Sequence, residues 1–114
     1  IGTEERHFGN WQGQAVDNLR AYHTYREHCY INIDARPNAL GESTQKVQVR
    51  MQRALNNISF KMANSPIGNA MLISHGDAID CLLSLWTSPV QLKNCQHVRL
   101  TLQDHTFIWG DQIE

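Results

Sequence analysis

Apolar positions recur along this chain with two different periods, and the period changes mark its elements. Val47, Met51, Leu55, Ile58 and Met62 follow one another at four- and three-residue intervals. That single stripe predicts an amphipathic helix over residues 43–63. Ser43 or Thr44 supplies its N-cap, and Asn64-Ser65-Pro66-Ile67-Gly68 ends it with proline and glycine. Val16, Leu19 and Tyr22 at three-residue spacing predict a shorter helix over residues 14–28. The apolar run at residues 69–74 predicts a short buried strand, followed by a helix over 77–86 that Thr87-Ser88-Pro89 closes. Beyond it the period falls to two. Val98, Leu100 and Leu102 alternate with Arg99, Thr101 and Gln103, and Thr106–Trp109 returns after Asp104-His105, which predicts a terminal β-hairpin. Residues 29–42, with Pro37, Asn38 and Gly41, read as a loop or insertion over a site.

The junction of the predicted strand and the helix after it is Ser74-His75-Gly76-Asp77. It puts an imidazole at the carboxyl end of a strand, the edge where open α/β sheets bind ligands. The free N–H groups and the dipole of the following helix favour an anion there. His75 is therefore placed either to meet a phosphate or to serve as a hydrogen-bonded turn residue.

Two further segments bear on that choice. Glu5-Arg6-His7-Phe8-Gly9-Asn10-Trp11-Gln12-Gly13 lies near the start, and Gly41-Glu42-Ser43 opens the long helix. Taken in order with Ser74-His75-Gly76, they resemble the histidine phosphatase superfamily, which includes the cofactor-dependent phosphoglycerate mutases. The resemblance covers about residues 1 to 110. It implies a three-layer α/β sandwich, with a mostly parallel sheet, helices on both faces and a C-terminal hairpin. It implies an enzyme of the hydrolase class, a phosphomonoester phosphatase working through a phosphohistidine. A phosphoglycerate mutase-like phosphotransferase and a non-catalytic binding domain of the same fold stand as alternatives.

The resemblance also assigns residues. His75 matches the second histidine that binds the phosphoryl group beside the nucleophile. Glu5 matches the acid that protonates the leaving alkoxide, and counting back four from Gly9 selects it over Glu4. Arg6 and Gly76 are expected at the substrate. Glu42 has two readings, a neighbour of the substrate pocket and an acid complementing the helix dipole. His7 reads as a turn residue. The superfamily's nucleophilic histidine lies in Arg-His-Gly, upstream of the Glu segment, and no Arg-His-Gly occurs in these residues. The chain thus reads as one domain, residues 1–114, incomplete on its N-terminal side. Gln12 stands where phosphatases of the family usually carry Glu, and the surrounding Asn10-Trp11-Gln12-Gly13 resembles the phosphatase form more than the mutase form.

Composition narrows the classes further. The 114 residues suffice for one domain, and 41% are apolar. Ten Lys and Arg against eleven Asp and Glu leave a net charge of −1, with no basic footprint for nucleic acid or an anionic membrane. No apolar stretch reaches the length of a membrane span, and Ile1-Gly2-Thr3-Glu4 lacks signal-peptide features. Cys29, Cys81 and Cys95 are odd in number and form no Cys-x-x-Cys. That points away from disulfides and structural zinc and towards a cytoplasmic setting, with Cys81 a small buried apolar residue. His23 and His28, five apart, do not share a helix face, so no metal and no cofactor is expected. Trp11, Trp86 and Trp109 read as packing residues. The partner expected is a small phosphorylated substrate. A complementing N-terminal segment or a second copy would cover the sheet edge that an incomplete domain leaves open.

Overall fold

The computed structural model describes residues 2–15, 17, 19–66, 68–103 and 106–113. Its elements are a 3₁₀ turn at Gly9–Trp11, helices α1 (Arg20–His28), α2 (Thr44–Ala63) and α3 (Gly76–Leu83), and strands β1 (Val98–Gln103) and β2 (Thr106–Ile113).

Helix α2 is the scaffold. Ser43 caps it, its Oγ accepting from the Lys46 N–H at 3.1 Å, which satisfies one of the donors a helix start leaves open. The predicted stripe is the buried one: Val47, Met51 and Leu55 meet Ala78, Cys81 and Leu82 of α3. Burying a side chain of the size of Met51 or Leu82 contributes about 1.5–3 kcal/mol. Tyr30, Leu100 and Phe107 pack against this core, so the hairpin is joined to the helix pair.

The hairpin follows the predicted alternation. β1 and β2 pair antiparallel, with Leu100 opposite Trp109 and Leu102 opposite Phe107, and an irregularity between Val98 and Leu100. The connecting Asp104-His105 lies outside the described residues.

Three expectations need correction. Helix α1 begins at Arg20, not near residue 14. Gly13 has a positive φ of 80°, and Gln14 Nε2 donates to the Asn10 carbonyl, so a turn occupies that stretch. Val16, from the predicted stripe, lies outside the described residues. Helix α3 ends at Leu83, and Leu85 and Trp86 bond back to the Leu82 and Leu83 carbonyls in a closing turn. The larger correction concerns the sheet. Among the described residues it is one two-stranded antiparallel hairpin, not the parallel centre of a three-layer sandwich. Residues 69–74 form no strand, and Met71 and Ile73 are 88% and 81% exposed. A strand exists only through a ladder partner. β1 and β2 are paired with each other, and no described segment pairs with 69–74. The mixed helix and sheet content remains α/β in kind. No helix among the described residues is long and apolar enough to cross a membrane.

Candidate functional site

Residues 2–8 form neither helix nor strand, so side-chain bonds decide where this segment lies. The Glu5 carboxylate rests on the start of α3. Its Oε2 accepts from the Asp77 N–H at 3.1 Å and its Oε1 from the Ala78 N–H at 2.6 Å. Oε1 also accepts from the Arg6 N–H at 3.0 Å. His75, the N-cap residue of α3, makes no side-chain cap bond. Glu5 supplies that cap from 73 positions away in the chain, and a carboxylate suits the positive end of the helix dipole. Beside it, Ser74 Oγ donates to the Thr3 carbonyl at 2.7 Å.

The structure therefore brings Glu5 to the His75 turn. His75 itself is fixed through its backbone, its carbonyl accepting the Ile79 N–H at 2.9 Å, while the residue is exposed. Gly76 is exposed beside it, and a Cβ there would meet nothing closer than the Leu92 carbonyl at 3.8 Å. The N–H groups of Asp77 and Ala78, expected from sequence to hold an anion, hold the Glu5 carboxylate.

Arg6 and Glu42, the other two residues expected near the substrate, both engage protein groups. Arg6 is 2% exposed. Its Nε lies 2.9 Å from Asp77 Oδ2, and its Nη2 donates to Thr44 Oγ1 at 2.8 Å and to Cys81 Sγ. Nη1 donates to the Tyr25 hydroxyl. Burial lowers the Arg6 pKa, but Asp77, Cys81, Tyr25 and Cys29 together outweigh it and the net shift is upward. Asp77 also takes Arg26 at 2.8 Å and the Tyr30 hydroxyl. Burial, with Asp77 adding to it, raises the Tyr30 pKa. The same environment pushes the Cys81 thiol up to about 12, which keeps it a neutral, buried group as its place among leucines suggested.

Glu42 stands just before the N-cap and pairs in bidentate fashion with Arg50. Oε2 accepts from Nε and Oε1 from Nη2, both at 2.9 Å. Glu42 Oε1 also accepts the His7 N–H at 2.9 Å, and its own N–H donates to the His7 carbonyl at 2.8 Å. Burial raises the Glu42 pKa, but the Arg50 and His7 hydrogen bonds outweigh it and the net shift is downward. Arg50 goes on to donate to the carbonyls of Gly2, Glu4 and Glu5 at 2.9, 2.7 and 3.0 Å.

The motif glycines have a steric reason. Gly9 has φ +61°, and a Cβ on it would lie 2.0 Å from Asn38 Oδ1 and 2.6 Å from the Gly41 nitrogen. A Cβ on Gly41 would sit 2.3 Å from Pro37 Cγ. The loop at residues 29–42 thus presses on the Glu segment, and Asn38 binds it, donating to the Phe8 carbonyl at 2.8 Å and accepting the Asn10 N–H at 3.1 Å. Trp11 packs edge-on to Tyr22 and Tyr25, at ring separations of 6.3 and 6.1 Å, which is the packing role expected of it. Gln12 accepts the Phe8 N–H at 2.9 Å, so it serves the local turn. No group of three or more His, Cys, Asp or Glu able to hold a metal occurs among the described residues.

Sequence reasoning passed over Asp77, Arg26, Tyr30 and Arg50. Two of them carried a signal. Arg50 lies three after Val47 and four before Ala54, and Asp77 four before Cys81, so both are charges on buried helix faces, where a partner is required.

A family model of the histidine phosphatase superfamily (branch 1) matches residues 2–109. The chain belongs to the histidine phosphatase superfamily. No curated protein and no solved structure matches it. The match spans all three motifs of the site, from the Glu5 segment through Glu42 to His75, and most of the hairpin. Phosphatase or mutase-like chemistry is the general function of this superfamily.

Proposed function

We propose that this chain supplies the proton donor and the second histidine of a phosphomonoester phosphatase that works through a phosphohistidine. The observation that carries the reading is the pair of bonds from the Asp77 and Ala78 N–H groups to Glu5, which sets the acid of the first motif against the helix that His75 opens. In this reading a neutral imidazole nitrogen, from an Arg-His-Gly segment outside these 114 residues, attacks phosphorus. The phosphorus–oxygen bond to the leaving group breaks, and the departing alkoxide takes its proton from Glu5. Glu5, now ionised, takes a proton from the water that attacks the phosphohistidine, and the phosphorus–nitrogen bond breaks to release phosphate and free imidazole. His75 and the exposed backbone at Gly76 face the phosphoryl group, where fixed donors spread its charge.

The hydrogen bonds of Glu5 favour one of its oxygens for this step. Oε1 already accepts from Arg6 and Ala78, whereas Oε2 accepts from Asp77 alone. A carboxylate oxygen offers two lone-pair sites, so the transferable proton rides on Oε2. Arg6 and Glu42 support the site from below, through Asp77 and Arg50. The three free thiols fit a reducing compartment such as the cytoplasm.

The test is Glu5→Gln in the full-length protein, assayed on an alkyl phosphate and on p-nitrophenyl phosphate. A poor leaving group needs the proton and a good one does not. The alkyl phosphate should therefore lose about 10²-fold or more relative to p-nitrophenyl phosphate, given the usual contribution of a positioned acid. Equal losses on both would make Glu5 an orienting group, and phosphate binding without turnover by the wild type would leave a binding domain.

A further inference from the structure

Arg50 spends its whole side chain on protein acceptors around the Glu5 segment. A guanidinium has five N–H donors, and all five are used. Nε and one Nη2 hydrogen go to Glu42, the other Nη2 hydrogen to the Glu5 carbonyl, and both Nη1 hydrogens to the Gly2 and Glu4 carbonyls. Three of the five acceptors are backbone oxygens of the segment that ends at the proposed acid. The other two belong to Glu42, whose carboxylate and backbone N–H fix His7, two residues beyond it.

We infer that Arg50 is the positioning residue for Glu5. Residues 2–8 have no helix or strand to fix them. Arg50 rises from α2, a 20-residue helix anchored by its buried stripe, and clamps the carbonyls of residues 2, 4 and 5. Glu42 orients the guanidinium and closes the clamp at His7. With the backbone held on both sides, the Glu5 carboxylate is delivered to the Asp77 and Ala78 N–H groups without searching. Lysine cannot reproduce this, because a single ammonium has three donors and no planar fork. A displacement of the acid by a fraction of an ångström loses part of its contribution to the leaving-group step while leaving phosphate binding alone.

The kinetic consequence rests on the phosphatase reading, whereas the geometric consequence does not, so the experiment measures both in the full-length protein. Arg50→Lys, Glu5→Gln and the double variant are compared with wild type. In Arg50→Lys, turnover of an alkyl phosphate should fall about 10-fold or more, with a several-fold smaller loss on p-nitrophenyl phosphate and KM within about two-fold. In the Glu5→Gln background the same change should add less than about two-fold, because the acid it positions is already gone. Hydrogen exchange at the Asp77 and Ala78 amides should quicken about 10-fold in Arg50→Lys while the amides in the middle of α2 keep their protection. Equal loss on both substrates, full additivity with Glu5→Gln, or unchanged protection at Asp77 and Ala78 would each overturn the inference. If the wild type hydrolyses neither phosphate, the phosphatase reading fails and the amide measurement alone decides the role of Arg50. Should Arg50→Lys not fold, Glu42→Gln, which keeps the shape and weakens the fork, is carried through the same measurements with the same expected directions.

Discussion

Arg6 and Asp77, 71 positions apart in the chain, form an ion pair at 2.9 Å from which water is almost wholly excluded. The pair joins the segment at residues 2–8 to the first turn of α3, whose backbone N–H groups hold Glu5. Glu5 grips the N–H groups of α3 and its neighbour Arg6 grips a side chain of the same turn. Neither attachment can slip without disturbing the other.

Removing one partner of a buried pair leaves an uncompensated charge, which costs about 3–5 kcal/mol. Asp77→Asn should approach that loss in a urea titration, since Arg6, Arg26 and Tyr30 all converge on the carboxylate. Arg26→Met should cost markedly less, because the Arg26 side chain keeps 28% of its exposure and can still be hydrated. A reversed order of the two losses would mean that the Arg6 contact contributes little.

Gly9→Ala and Gly13→Ala separate backbone strain from steric conflict. Both glycines have positive φ, but only at Gly9 does a Cβ meet neighbours, at 2.0 and 2.6 Å, whereas nothing lies within 4 Å at Gly13. Gly13→Ala should cost about 1–2 kcal/mol from the left-handed conformation, and Gly9→Ala about 2–4 kcal/mol because overpacking is added. Equal midpoints in denaturant would show that the loop at residues 37–41 yields freely.

The Glu42–Arg50 pair sets an acid limit on stability. The Glu42 pKa is lowered in the fold from its ordinary value of 4.5, so folding favours the ionised form. That contribution is fully present above the unfolded value and is lost as pH falls through the lower folded one. Thermal melts from pH 7 to pH 3 should show Glu42→Gln less stable than wild type at neutrality, with the two converging at the acid end. A constant gap across the range would assign the effect to packing rather than ionisation.

His75→Ala should behave in the opposite way to the interior changes. The imidazole is exposed and caps nothing, so stability should stay within about 0.5 kcal/mol. In the full-length protein, binding of phosphate or vanadate should be lost with it, because a donor to the phosphoryl oxygens is removed. Titration calorimetry reads this, and unchanged binding would remove His75 from the site.

Much of the scaffold was legible because it obeys a single period. The stripe from Val47 to Leu55 and the Ser43 cap appear as predicted, and so do the facing leucines of the hairpin. The strand at 69–74 was misjudged because its apolar run records only what the segment could bury, while pairing depends on a partner far away in sequence. The burial of Arg6 was not legible in its motif. Arg6 is buried between the half-buried Glu5 and the exposed His7, and its partners Thr44, Asp77 and Cys81 lie 38 to 75 positions away in the chain, beyond the reach of a local motif. The motif letters marked Glu5 and Glu42, but only the fold shows that Arg50 ties the two together.

The exposed run at Met71–Ile73 also alters the thermodynamics of the chain. Heat capacity rises on unfolding because apolar surface is newly wetted. Side chains that already stand in water, as Met71 and Ile73 do, add nothing to that rise. An average domain of this length changes by about 1.5 kcal/mol/K, and each apolar side chain left in water takes away from what its burial would add. The stability curve of this chain is correspondingly flatter, so cooling weakens it less than it would a chain of equal length with every such residue enclosed.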